Sequence, residues 1–256
     1  MTEITVSRDD ETATVTISNP ERMNALSTSA CETMAESLRT LAHDRSVRCV
    51  VVTGSGEAFC SGIDLAGGAG AGGPAAELEG GLNAIATSLL RMEKPTVASV
   101  SGPAIGAGAS IATACDFVYA ATSAEFGWGF TDIGLAPDTG ATYVLPRLVG
   151  VRRAMELLTT GRRISAEEAV DLGVATEAIP DPQLDEVVNQ RVEMLRSRPT
   201  RAVGEAKRLL LRNTHRSLEE ALAAETRAQK RMVTTDDFSE GIQAFAEQRD
   251  PEFTGR

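Results

Sequence analysis

Thr96-Val-Ala-Ser-Val100, continuing as Ser101-Gly-Pro-Ala-Ile-Gly-Ala-Gly-Ala-Ser110, is the stretch on which the fold turns. Its first five residues are apolar or β-branched, Gly102-Pro103 breaks the run, and beyond Gly106-Ala-Gly108 the chain becomes alanine-rich. That order predicts a buried strand, a tight turn and a buried helix. A turn of this kind leaves backbone N–H groups unspent, and residues this small let a ligand approach the main chain. The start of the helix adds partial positive charge, so a developing oxyanion would be held there. A packed strand-to-helix turn that binds nothing is the other reading of the same residues.

The flanking segments repeat the pattern. Upstream, Ile4 to Arg8 and Thr12 to Ser18 alternate at period two around Asp9-Asp10-Glu11, the signal of a hairpin. A helix is predicted from about Ser29, where Ser29-x-x-Glu32 forms a capping box and Met34, Leu38 and Leu41 share a face. Arg48-Cys-Val-Val-Val-Thr53 is too continuously apolar for a half-exposed strand and belongs in a sheet covered on both sides. Gly67-Gly-Ala-Gly-Ala-Gly-Gly73 predicts a mobile flap, and a helix is expected from about Ala76 to Glu93. Strands near Phe117 to Ala120 and Gly173 to Ile179 follow, with helices over Asp138 to Leu148, Val151 to Thr159 and from the capped Ser165-x-x-Glu168. Strands alternating with helices imply right-handed crossovers and a largely parallel sheet. From Asp181 onward the chain reads as helical: Leu184, Val188, Val192 and Leu195 form one stripe, and Ser217-x-x-Glu220 caps a further helix.

Composition narrows the function. The 256 residues are 42% hydrophobic but only 4% aromatic, so Ala, Val, Leu and Ile must fill the core. A net charge of -11 argues against binding nucleic acid or an anionic membrane through the overall field, and an anionic ligand would need a local basic patch. There is no run long enough for a membrane span, and Met1-Thr-Glu-Ile-Thr-Val lacks a secretion-signal pattern, so a cytoplasmic protein is expected. Cys31, Cys49, Cys60 and Cys115 are widely spaced and read as small buried residues. His43 and His215 lack metal-ligand spacing, so no metal site is expected. No Gly-x-Ser-x-Gly elbow is present, and neither His is placed for a nucleophile triad.

Taken together, Asn19-Pro-x-x-x-Asn-Ala-Leu26, Phe59-Cys-Ser-Gly-Ile-Asp-Leu65, Val100-Ser-Gly-Pro-Ala-Ile-Gly-Ala-Gly108, Cys115-Asp116, Ile133-Gly-Leu-x-Pro137, Gly161-Arg-Arg-Ile-Ser-Ala-Glu-Glu-Ala169 and Asp250-Pro-Glu-Phe253 resemble the crotonase, or enoyl-CoA hydratase/isomerase, superfamily. The resemblance runs from about Ile4 to Gly255 with the motifs in family order. It implies an α/β fold, a crotonase-like spiral of ββα units with a C-terminal helical region. Residues 1–190 would form the spiral core and 191–256 a helical trimerisation or lid region, in a homotrimer or homohexamer. No separate cofactor is implied, since coenzyme A enters as part of an acyl-CoA thioester substrate.

Carried over by position, the resemblance assigns the two N–H donors for the thioester oxygen to Ile63 and Ala107, each worth about 3 to 4 kcal/mol to an enolate-like transition state. It places Arg22 near the nucleotide of coenzyme A, an ordinary exposed Arg being the other reading of the same residue. Leu26, Ser61 and Ile63 would line the adenine and pantetheine path. Hydratases of the family use two glutamates, whose positions fall on Ser110 and Phe130, so efficient hydration is not expected.

Asp138 stands where some isomerases of the superfamily carry a catalytic acid, beside an apolar wall expected from Phe126, Trp128 and Phe130. A double-bond shift of an enoyl-CoA through a dienolate needs only one such group. The same residues, Pro137-Asp-Thr-Gly140 ahead of Ala141, also make an N-cap with no chemistry to perform. A non-catalytic acyl-CoA-binding protein, a weak hydratase and an aryl-CoA dehalogenase-like enzyme are the alternatives, the last wanting a His base.

Overall fold

The computed structural model describes residues 2–64 and 78–256. The expected glycine-rich flap and the start of the helix expected from Ala76 lie outside the described residues.

Two sheets are wound by one chain. The larger has the order β1 (Glu3–Asp9), β2 (Thr12–Ser18), β3 (Cys49–Gly54), β4 (Thr96–Val100), β6 (Phe117–Ala121) and β9 (Glu177–Ile179). Its first two strands form the expected antiparallel hairpin, and the pairings β2–β3, β3–β4, β4–β6 and β6–β9 are parallel. The smaller sheet joins β5 (Pro103–Ile105), β7 (Glu125–Gly127) and β8 (Ile164–Ser165), with Cys60 bridged to Ala104 at its edge. In the turns that begin with β4 and β6, one strand lies in each sheet before the next long helix. After β4 and β5 comes α3 (Ala107–Ala114), every residue of which is buried.

The apolar run at β3 is explained by what covers it. Val50 and Val52 face α1 (Thr28–His43) and join Met34, Leu38 and Leu41 in the main core. Cys49 and Val51 face the opposite way, onto the stripe Leu184, Val188, Val192 and Leu195 of α6 (Leu184–Arg196). Each of those four side chains contributes about 1.5 to 3 kcal/mol by leaving water. The division expected at 190 falls inside this continuous helix, whose buried stripe belongs to the sheet throughout its length.

Local boundaries differ from expectation in three places. Helix α1 is capped by Ser27, whose Oγ accepts the Ala30 N–H at 3.3 Å, because Ser27 is extended (φ −84°, ψ 163°) while Ser29 already lies in the first turn. Past Leu78 a π turn (Leu78–Leu82) precedes α2 (Asn83–Arg91). The two helices expected around Gly150 are α4 (Ala141–Thr160), interrupted where Gly150 takes a non-helical φ of 75° and ψ of 159°, and its start is three residues later than expected.

Helix α5 (Ala166–Asp171) is capped by Ser165 as expected. Three further helices complete the C-terminal region: α7 (Thr200–Asn213), α8 (Leu218–Met232) and α9 (Asp236–Glu247). Helix α8 carries the full Ser217–Glu220 capping box. Among the described residues, no helix is long and apolar enough to cross a membrane.

Candidate active site

The candidate site is assembled from three backbone segments. Asn24, fully buried at φ 56°, ties two of them together: its side-chain amide donates to the carbonyls of Ser55 (2.9 Å) and Ala58 (2.6 Å), and its Oδ1 accepts the Asn19 N–H at 2.8 Å. Leu26 is thereby laid against the segment after Phe59. The Leu26 N–H donates to Gly62 C=O (2.7 Å) and the Asp64 N–H donates to Leu26 C=O (2.9 Å). On the other edge the Ile105 N–H donates to Cys60 C=O at 2.8 Å.

That pairing fixes where the Ile63 N–H points. In an extended segment successive amides alternate in direction, and the amide of Asp64 is spent on Leu26. The Ile63 amide therefore faces the opposite edge, toward the turn at Gly106 and Ala107. Gly62, at φ 94°, brings the strands so close that a Cβ there would stand 3.0 Å from Ile105 O and 3.5 Å from Ala107 N. Neither the Ile63 nor the Ala107 N–H donates a hydrogen bond within the described residues. Two unspent amides on adjoining turns, one of them the first residue of α3, can hold one oxyanion between them.

The side chains nearby divide into those the sequence placed and those it missed. Ser61 lies beside Arg22, its Oγ donating to Arg22 C=O at 3.2 Å. Arg22 is about half exposed and grips Asp64, Nη1 lying 2.6 and 2.7 Å from the two carboxylate oxygens. Asp64 as the counter-charge of Arg22 was not foreseen. A positive residue in a chain of net charge -11 attracts a local carboxylate, and no motif announced which one.

Asp138 is half-buried, and its Oδ1 accepts the Thr139 hydroxyl at 2.7 Å. It does not cap α4: Gly140 is the N-cap, with no side-chain bond. Thr139 is buried at φ 52°, a conformation costly for a β-branched residue, and Gly140 follows at φ 80°. Backbone strain thus lies next to the candidate acid.

Ser110 is buried and its hydroxyl donates to Gly106 C=O. Phe126, Trp128 and Phe130 are all buried in the main core, and Trp128 Nε1 has no acceptor within the described residues. Asp132 is exposed in a short turn beside Gly161, and Glu125, opposite Pro103 on β7, pairs with Arg163 at 3.1 Å. Arg249 is held by Glu240 and Glu247.

The remaining candidate nucleophiles and bases are occupied elsewhere. Burial pushes the Cys49 and Cys60 thiols up to about 12 and raises Cys115 as well, which keeps all three protonated. His43 is exposed with Nδ1 2.8 Å from Arg39 O, and His215 contacts Arg147 at the surface. Among the described residues no group of His, Cys, Asp and Glu could hold a metal ion.

The profile of the enoyl-CoA hydratase/isomerase family matches residues 8–256. The chain belongs to that family. A Rhodobacter capsulatus protein named "Probable enoyl-CoA hydratase" is 40% identical over 248 residues, 95% of each chain. The 1,2-epoxyphenylacetyl-CoA isomerase of Escherichia coli K12 is 35% identical over 248 residues, again 95% of each chain. Among solved structures, an enoyl-CoA hydratase from Polaromonas sp. JS666 superposes with a TM-score of 0.90 at 32% identity, covering 98% of this chain and 99% of that one. The protein is accordingly an acyl-CoA enzyme of the enoyl-CoA hydratase/isomerase family with the crotonase fold. Of the two positions to which the resemblance assigned the hydratase glutamates, Ser110 bonds its own helix and Phe130 is packed in the core.

Proposed function

We propose that this enoyl-CoA hydratase/isomerase family member shifts the double bond of an enoyl-CoA. The thioester oxygen is held by the N–H groups of Ile63 and Ala107. Asp138, as carboxylate, takes a proton from C2 of a 3-enoyl thioester. The electron pair spreads into a dienolate whose negative charge rests on the thioester oxygen, and the carboxylic acid so formed returns the proton to C4, leaving the double bond between C2 and C3. Nothing else is consumed. The two amides bind the thioester oxygen more strongly as its charge develops, which is where stabilisation accelerates a reaction.

The observation that carries this reading is the identity of the carboxylate that remains. With Ser110 and Phe130 in the two glutamate seats, the segment leading into α4 offers Asp138, which does not stand at the N-cap of that helix. Hydration needs a base for water and an acid for C2; a double-bond shift needs one group in both states. The name of the Escherichia coli relative, an isomerase acting on a CoA thioester, supports the same reaction class. A dehalogenase-like reaction wants a His base, and His43 and His215 are both exposed, His43 beside Arg39 O and His215 beside Arg147.

Arg22, Leu26 and Ser61 would follow the pantetheine and nucleotide of the substrate along the edge that Asn24 fixes. A homotrimer or homohexamer is supported by apolar side chains left in water, among them Val151 and Met155 on α4 and Phe245 on α9, which is 85% exposed.

The test is to supply a 3-enoyl-CoA and a 2-enoyl-CoA to the wild type and to Asp138→Ala. Conversion of the 3-enoyl substrate by the wild type alone is expected. Tight binding with no turnover would mean a binding protein, and hydration surviving in the variant would remove Asp138 from the reaction.

A further inference from the structure

Gly106 C=O accepts two hydrogen bonds, both from one residue: the Ser110 N–H at 3.1 Å and the Ser110 hydroxyl at 3.1 Å. The first is the opening bond that any helix makes. The second is particular to a hydroxyl at this position. Gly106 C=O and Ala107 N–H are the two ends of one planar peptide, so whatever fixes the direction of the carbonyl fixes the direction of the amide opposite it.

That peptide has an alternative. Gly106, at φ 57° and ψ −121°, occupies the first corner of a type II′ turn. A rotation of the central peptide by about half a turn converts this corner to type I′, which puts Ala107 as well as Gly106 at positive φ and unwinds the start of α3. In the rotated form the carbonyl, rather than the Ala107 N–H, would face the Ile63 side and repel an oxyanion. The Gly106 N–H is tied to Gly127 C=O at 2.8 Å, so the chain is anchored just before the peptide that can turn. Ser110 is 1% exposed, and its hydroxyl donates to Gly106 O from below, inside α3.

We propose that Ser110 is a positioning residue for the thioester oxyanion. Its hydroxyl adds a second bond to those that hold the Gly106–Ala107 peptide with the N–H outward and, by donating to the carbonyl, makes that N–H a stronger donor, since hydrogen bonds at the two ends of an amide reinforce each other. The seat that holds a catalytic glutamate in hydratases has become part of the support of the oxyanion hole. This rests on the reading that Ile63 and Ala107 bind the thioester oxygen, and the test separates the two.

The experiment is infrared difference spectroscopy of a saturated acyl-CoA labelled with 13C at the thioester carbonyl, bound to the wild type, Ser110→Ala and Ser110→Thr, with thermal melts to show that each is folded. The expected result is a downshifted carbonyl band in the wild type, partial return toward the free frequency in Ser110→Ala, and the wild-type band in Ser110→Thr. Turnover of a 3-enoyl-CoA by Ser110→Ala should fall about three- to tenfold in kcat with KM unchanged, the pattern of a lost transition-state interaction. A downshift in the wild type that Ser110→Ala leaves intact overturns the role of Ser110 alone. No downshift in the wild type overturns the oxyanion hole itself, and Ser110's role with it.

Discussion

Lys207 reaches from α7 into the sheet, its Nζ lying 2.8 Å from Asp116 Oδ2 and 2.6 Å from Leu89 O, and the same carboxylate oxygen accepts the Thr96 N–H and hydroxyl. A buried lysine and a partly solvated aspartate thus join the C-terminal helices to the first residue of β4. Removing the cation takes a charge-assisted bond from Asp116 and leaves Leu89 C=O without its donor. Lys207→Met is expected to lower stability by about 1 to 3 kcal/mol, the usual worth of hydrogen bonds to a charged group. Denaturant unfolding checks this, and a change within experimental error would show that water reaches Asp116 freely.

Thr139 holds the candidate acid from the adjacent position. Thr139→Val keeps the shape and removes the hydroxyl that donates to Asp138 Oδ1. Because the bond orients the carboxylate rather than binding substrate, kcat for a 3-enoyl-CoA should fall roughly tenfold while KM stays within about twofold. Steady-state kinetics decide it; a rise in KM at constant kcat would place Thr139 in binding instead.

Arg22 is shared between Asp64 and any phosphate that approaches. Arg22→Ala should raise KM for a CoA thioester about three- to tenfold and leave KM for the matching pantetheine thioester unchanged, because a charge-assisted contact is lost only where phosphate exists. Asp64→Asn should lower KM for the CoA ester, more strongly at low salt. Equal effects on both thioesters would mean that Arg22 does not meet the nucleotide.

Asp44 follows α1 and is held well below the usual carboxylate range, at about 2, by hydrogen bonds from the Ser46 hydroxyl and N–H and by Arg8. A depressed carboxylate stabilises the fold above its ordinary value of 3.8 and loses that contribution as pH falls through about 2. Asp44→Asn should therefore be less stable than the wild type near neutral pH, with the gap closing as the pH is lowered. Melting curves across the acid range test this, and a gap independent of pH would assign the loss to geometry rather than charge.

Much of the architecture could be read before any coordinates, because each main element had one strong local cause. The alternation of Thr12 to Ser18 and the Leu184-Val188-Val192-Leu195 stripe each pointed to a single buried face. The continuous run at Val50 to Val52 required cover on both faces and received it. Caps were less legible: Ser27 and Ser29 are equally good by residue type, and only the extended backbone at Ser27 separates them. Asp138 looked like an N-cap for the same reason, until two left-handed residues moved the cap to Gly140.

In the candidate site, the motifs led to Ile63 and Ala107, but the contacts that fix those amides run between residues far apart in sequence. The bond from Asn24 to Ala58 and the pairing of Arg22 with Asp64 span 34 and 42 positions, and no spacing rule reaches them. Ser110 was visible as a missing glutamate. Its bond to Gly106 needed the turn geometry.

The central claim is that Asp138 carries the proton, and the most direct measurement is exchange at C2 of a 3-enoyl-CoA in deuterated water, followed by NMR with the wild type and Asp138→Asn. The wild type should place deuterium at C2 of unreacted substrate or at C4 of the 2-enoyl product. The isosteric variant should still bind the thioester but leave C2 unlabelled, with exchange slowed by at least about a thousandfold. Exchange at the wild-type rate in Asp138→Asn would contradict the account.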